Sequence, residues 1–183
     1  MRTRFHVIVG FLMLFVSYGC RGSAEIEMNE ARRAMEEAER VRTESLAPAD
    51  FEKARKAWER AQDADKEGNT GAAKVLYTSA RIYFGQAADI ARSRRDALSR
   101  ELNGMQPVIG ETLDKVKLDL SMEKSTPERR ARVKAIVAEV ETMNKSMAEL
   151  VKEQDLVQAV AAAKDVQTKL YHAQLILTGR EPK

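Results

Sequence analysis

The sequence predicts an all-α protein, an elongated antiparallel bundle of coiled-coil-like helical hairpins with about six helices. Three observations predict it. Apolar residues recur every three or four positions from Met28 to Leu177, the spacing that lines one face of a helix. Charged residues make up 32% of the chain and aromatic residues 5%, a balance that suits thin helical seams better than a bulky core. The strongest breakers, Pro48, Gly68, Pro107 and Pro127, stand where that periodicity is interrupted.

The first residues follow a different rule. Arg2 and Arg4 precede an apolar run from Val7 to Val16, which ends in Ser17-Tyr18-Gly19-Cys20. A positive start, a short apolar centre and a small residue before a cut are the layout of a secretory signal peptide. The run is about ten residues long, whereas a spanning helix needs roughly 20. Residues 1–19 are therefore expected to be a leader cut between Gly19 and Cys20, with residues 20–24 a short tether. Cys20 is the only cysteine, so no disulfide within the chain is available.

The helices follow in order. From Glu25 to about Ser45, Met28, Ala31, Met35, Ala38 and Val41 form one stripe. Leu46-Ala47-Pro48 breaks it. Pro48 suits a first turn, where its missing N–H would be unpaired anyway, and Asp50 and Glu52 suit the positive end of the helix dipole. The second helix runs to about Glu67 with Phe51, Ala54, Trp58, Ala61 and either Ala64 or Asp65 on its seam. Gly68 can take the left-handed position that closes a helix. The third helix starts near Thr70 and repeats Ala73, Leu76, Ala80, Phe84, Ala87, Ala91, Leu98 and Leu102 along one face. So short a turn between two such stripes makes an antiparallel hairpin.

Asn103-Gly104, with Pro107 beyond, is the expected stop of that helix, and a kinked continuous helix is the alternative. A fourth, shorter helix carries Val108 or Ile109, Leu113, Val116 and Leu120. Ser125 can cap a fifth helix, with Pro127 in its first turn and Glu128 reaching back. Val133, Ile136 or Val137, Val140, Met143, Met147 and Leu150 or Val151 line it. A turn is expected at Gln154-Asp155, and a straight run to Leu177 is the alternative. The last stripe is Leu156, Val160, Ala163, Val166, Leu170, Ala173 and Leu177. Two domains result, an alanine-rich hairpin over 25–103 and a second helical segment over 104–183.

A faint repeat links them. Lys66-Glu67-Gly68-Asn69 and Ala73 align with Lys152-Glu153-Gln154-Asp155 and Ala159, and Phe84 and Ala87 then fall on Leu170 and Ala173.

Without the leader the chain carries 29 basic and 28 acidic residues, close to neutral. Nucleic-acid binding wants a concentrated basic face, so no nucleic acid is expected as a partner. The short clusters Arg92-Ser93-Arg94-Arg95 and Arg129-Arg130-Ala131-Arg132 read as solvated faces. His172 is the only histidine after the leader, and a metal site needs several convergent ligands. There is no phosphate-binding glycine loop and no Gly-x-Ser-x-Gly elbow. Glu36-Glu37 and Asp63/Asp65 are surrounded by lysine and arginine. Neither catalytic residues, a metal nor a cofactor is expected.

Phe51, Trp58, Tyr77, Tyr83 and Phe84 hold five of the six aromatic side chains beyond the leader. Phe51, Trp58 and Phe84 fit the seam. Tyr77 and Tyr83 are expected off it, which makes Trp58, Tyr77 and Tyr83 the candidate partner-binding residues. The stripe of Ile136, Val140, Met143 and Met147 is a second docking face or core.

Two resemblances sharpen this reading. Val16-Ser17-Tyr18-Gly19-Cys20 resembles the lipobox of bacterial lipoproteins, with Ser17 where leucine is usual and Tyr18 where a smaller residue is usual. It implies lipidation of Cys20, with acyl chains such as palmitate holding the chain to a membrane. Arg21 is not the aspartate that signals inner-membrane retention in enteric bacteria, which favours the outer membrane. Residues 25–102, through Ala31, Ala38, Leu46-Ala47-Pro48, Phe51, Ala54, Trp58, Ala61, Gly68, Ala73, Tyr77 and Ala80, resemble the alanine-rich helical domain of unknown function found in bacterial envelope lipoproteins. Trp58, Gly68, Ala73, Tyr77 and Ala80 are also similar to part of a tetratricopeptide hairpin, without a second tandem copy.

The expectation is a non-enzymatic, membrane-anchored lipoprotein of the bacterial envelope, facing the periplasm or the surface, that works as a structural or adaptor protein. Its partners would be the membrane, through lipid, and an envelope protein, with self-association also open. The alternative is a peptide- or ligand-binding lipoprotein serving a transporter or assembly machine.

Overall fold

The computed structural model describes residues 23–122 and 126–180. Among these residues the protein is an all-α helical bundle of six helices with no strand. The helices are α1 (Glu25–Arg40), α2 (Thr43–Leu46), α3 (Pro48–Lys66), α4 (Thr70–Ser121), α5 (Pro127–Lys152) and α6 (Leu156–Thr178). The chain divides into two compact units between Arg92 and Ser93, inside α4. The leader and Cys20 lie outside the described residues.

The first unit holds α1, α2, α3 and the start of α4. Its core is alanine at the seams, with Ala31, Ala38, Ala54, Ala61, Ala73 and Ala80 all fully buried. Side chains this small let helix axes approach toward the near end of the usual range, about 8 Å. Trp58, Tyr77 and Phe84 fill what the alanines leave. Across α1 and α4, Glu27 pairs with Lys74 at 4.0 Å, Glu30 with Arg81 at 3.7 Å and Glu37 with Arg92 at 2.5 Å. The numbers rise together, so α1 runs parallel to α4, and α3 runs back between them in sequence. Each such surface pair contributes about 0–1 kcal/mol, so the series fixes register more than it stabilises.

The first helix is shorter than its stripe predicts. Instead of running to Ser45 it stops at Arg40, because Arg42 sits in the left-handed region at φ 58°. The buried Thr43 holds the break. Its Oγ1 donates to the Ala38 carbonyl at 2.7 Å, so a hydroxyl satisfies a carbonyl that the ended helix leaves open. The α2 turn follows, and Pro48 opens α3 as expected. At the end of the α3 seam Ala64 is buried and Asp65 exposed.

The second unit has an aliphatic core built on Val116, Val133, Val140, Val166, Leu170 and Ile176. The expected stop at Asn103-Gly104 does not occur. The helix runs unbroken from Thr70 to Ser121 with Pro107 inside it. Leu98, Leu102, Met105, Ile109, Leu113, Val116 and Leu120 all join this core, stepping by three or four straight past the proline. An interior proline costs about 3 kcal/mol, and burying even two such side chains offsets it. The cap of α5 is Thr126, whose side chain accepts from the Arg129 N–H at 3.4 Å. Ser125, the expected cap, lies outside the described residues.

The chain does turn at Gln154-Asp155, and the turn copies the one at Gly68-Asn69. Gly68 has φ 73° and Gln154 φ 59°. The N–H of Asn69 donates to the Ala64 carbonyl, and that of Asp155 to the Leu150 carbonyl. Asn69 and Asp155 then each accept, at 3.2 Å, from the backbone N–H three residues on. With the same 86-residue offset, buried Ala73, Ala80, Phe84 and Ala87 fall on buried Ala159, Val166, Leu170 and Ala173.

Candidate functional site

The aromatic candidates divide between core and surface. Tyr77, expected off the seam, is on it and is 1% exposed. Its ring meets Trp58 edge to face at 5.2 Å, and Trp58 is buried as well. Phe51 and Phe84 make a second edge-to-face pair at 5.7 Å. Such pairs are worth about 0.5–1.5 kcal/mol beyond their burial, which places both in the packing of the first unit. The cause is the alanine seam. Ala54, Ala61, Ala73 and Ala80 leave room that only a large ring can occupy. Burial, with Asp65 adding to it, lifts the Tyr77 phenol above its ordinary pKa.

Of Trp58, Tyr77 and Tyr83, only Tyr83 is partly exposed. It is half-buried, and Lys53 Nζ stands 4.1 Å from its centroid in a cation–π contact. The pair crosses a groove of about 490 Å³ between α3 and α4. Lys53, Lys56 and Arg60 line it from α3, and Leu76, Ser79 and Tyr83 from α4, with the small side chains of Ala49 and Ala57 also in the lining. Glu52 is the one carboxylate lining it. Arg55 and Lys56 hold Glu52, and the Arg55 hydrogen bond keeps its pKa below the usual carboxylate value.

Sequence reasoning missed the basic wall. The signal was present, since residues 53, 56 and 60 recur at helical spacing just off the Phe51–Trp58 seam. Three isolated charges on an alanine-rich helix read as solvation until the neighbouring helix is in place.

The remaining candidates sit elsewhere. Val140 and Met147 are core residues of the second unit, and Ile136 and Met143 pack against it, so that stripe is interior. His172 is exposed. Among the described residues no group of His, Cys, Asp and Glu is placed to hold a metal ion. Glu37 pairs with Arg40 and Arg92, and Asp63 with Lys66. Among the described residues no helix is long and apolar enough to cross a membrane. Cys20 and Gly19 lie outside them.

No family model, no curated protein and no solved structure matches the chain.

Proposed function

We propose that this protein is a non-enzymatic lipoprotein of a bacterial cell envelope, anchored through Cys20, that works as an adaptor by helix-to-helix contact. The observation that carries the adaptor part is the solvent-facing side of α4 in the first unit. Val75, Ile82 and Ile90 are 67%, 46% and 44% exposed there, beside the groove. Scattered exposed apolar residues are ordinary, but three on one helix flank next to a concave surface favour a partner. The anchoring part rests on the leader and on the lipobox resemblance ending at Cys20.

The peptide-binding alternative is favoured by one observation, the groove at Tyr83. On that reading the peptide would meet Tyr83 and the α3 wall, with Trp58 and Tyr77 supporting from the core.

Two measurements test the adaptor reading. Cells fed labelled palmitate should yield a labelled protein, and Cys20→Ala should abolish the label. A photo-crosslinking side chain at Ile82 or Ile90 should give a discrete adduct with one envelope protein. An unlabelled product overturns the anchor, and the absence of any adduct at both positions overturns the adaptor role.

A further inference from the structure

We propose that the groove between α3 and α4 docks an acidic amphipathic helix from a partner protein, its apolar stripe on Leu76 and Tyr83 and its carboxylates along Lys53, Lys56 and Arg60. This rests on the adaptor reading and adds the partner's chemistry. Four observations carry it.

The first is shape. Leu76, Ser79 and Tyr83 recur at i, i+3 and i+7 on one helix, and Lys53, Lys56 and Arg60 do so on the other. Each row is about 10 Å long, two turns of helix. A helix laid along the groove repeats its side chains at that same interval, whereas a single phosphate headgroup would meet only one or two of the three cations.

The second is charge. The groove lining holds three cations and one carboxylate, Glu52, which pairs with Arg55 at 2.9 Å and more loosely with Lys56 at 3.7 Å, so the lining stays net positive. A neutral apolar helix would leave this row unused, and a basic one would be repelled.

The third is a precedent within the same unit. On α4, Lys74 and Leu76 are separated by about 200° of helix rotation, so they face opposite flanks. The Lys74 flank receives α1 by small apolar residues at the seam and carboxylates on the basic side chains, through Glu27, Glu30 and Glu37. The Leu76 flank sets Leu76, Ser79 and Tyr83 beside the cations of α3, and among the described residues no third helix lines it.

The fourth is an internal control. At the 86-residue offset the second unit has Glu139, Thr142 and Ser146 in place of Lys53, Lys56 and Arg60, and Lys169 in place of Tyr83. Glu139 and Lys169 close on each other at 2.8 Å. The equivalent face there has lost the cation row and spends its charge internally. The basic groove therefore belongs to the first unit and is not a by-product of the repeat.

The test uses the full chain in mild nonionic detergent and synthetic helical peptides of about three heptads. One peptide carries leucine and alanine on its stripe with glutamate beside it, and the other has lysine for every glutamate. Calorimetry should show the glutamate peptide binding at least about tenfold more tightly. K53E/K56E/R60E should reverse that preference, and Ser79→Trp, which fills the groove without touching its charge, should weaken both. All three reversed positions are solvent-facing, and an unchanged circular dichroism melt guards against misfolding. Equal binding of the two peptides, or a preference that survives both variants, overturns the proposal. So does binding of anionic phospholipid vesicles that depends on Lys53, Lys56 and Arg60 while the glutamate peptide is ignored. Self-association that the triple variant abolishes, again with the peptide ignored, would assign the groove to a second copy and overturn it too. If the Ile82 or Ile90 adduct persists while the peptide test fails, the adaptor reading stands and only the groove assignment falls.

Discussion

Gly68 and Gln154, 86 residues apart, occupy the same left-handed position of the same helix-closing turn, at φ 73° and φ 59°. One is the residue that adopts this conformation freely, and the other is a side chain that resists it. The match extends to the flanking bonds, since Gly68 and Gln154 donate to the carbonyls of Asp65 and Val151, both at 3.0 Å.

This difference makes a paired prediction. Nothing lies within 4 Å of a Cβ placed on Gly68, so Gly68→Ala meets only the backbone penalty, about 1 kcal/mol. Gln154→Gly relieves the same penalty in the second unit, and the extra freedom of glycine in the unfolded chain returns part of it. Denaturant unfolding should show a loss of about 1 kcal/mol for the first and a gain of about 0.5 kcal/mol for the second. A loss in both would mean that Gln154 contributes a side-chain contact the turn geometry does not require.

Tyr77 sets an alkaline limit on the first unit. Burial raises its pKa in the folded chain above the unfolded value, which is about 10. A group shifted this way stabilises fully below the unfolded value and loses its contribution as pH rises through the folded one. Melting temperature should therefore fall above about pH 10, and Tyr77→Phe should flatten that fall. The phenol absorbance of the folded chain should titrate above that of a short tyrosine peptide.

Glu141 sets a smaller acid limit on the second. Its hydrogen bond to Lys117, at 2.6 Å, holds its pKa below the usual carboxylate value. The folded value is depressed, so the contribution is present above the unfolded pKa and lost as pH falls through the folded one. Both side chains of the pair face solvent, so the effect should be slight and should fade in high salt. Carbon NMR of Glu141 should report the low pKa, and Lys117→Met should restore the ordinary one.

How far the sequence discloses this fold depends on where its signals compete. The helical periodicity is strong because each stripe is built from side chains that pack alone, as at Ala73, Ala80 and Ala87. The hairpin turns are legible through Gly68 and, by alignment, Gln154. The stop at Arg42 is not, because arginine carries no preference for a left-handed backbone and the hydroxyl that fixes it, on Thr43, bonds across the break. The burial of Tyr77 is not legible either, because the ring-sized gap that the seam alanines leave is a property of two helices together. The groove was illegible for the same reason. Lys53 and Tyr83 are 30 residues apart, and only the closed hairpin brings the ammonium to the ring.

Pro107 is the clearest case of packing outvoting a local signal, and it can be measured. As a proline it has no N–H to give the Asn103 carbonyl one turn back, and its ring crowds that carbonyl. The helix persists because Leu102, Met105, Ile109 and Leu113 on either side keep their places in the second unit's core. Pro107→Ala restores the missing bond on an exposed face without touching that core. It should stabilise the chain by about 1–3 kcal/mol, less than the full proline penalty because the local backbone has already adapted. Amide exchange from Asn103 to Ile109 should slow by a comparable factor. Ile109→Ala is the converse experiment, removing the burial and leaving the proline. It should cost about 2–5 kcal/mol, and exchange across 103–110 should rise well beyond what one lost side chain imposes on a proline-free helix. Were Pro107→Ala neutral and Ile109→Ala confined in its effect, the continuity of the helix would owe nothing to the seam that runs past it.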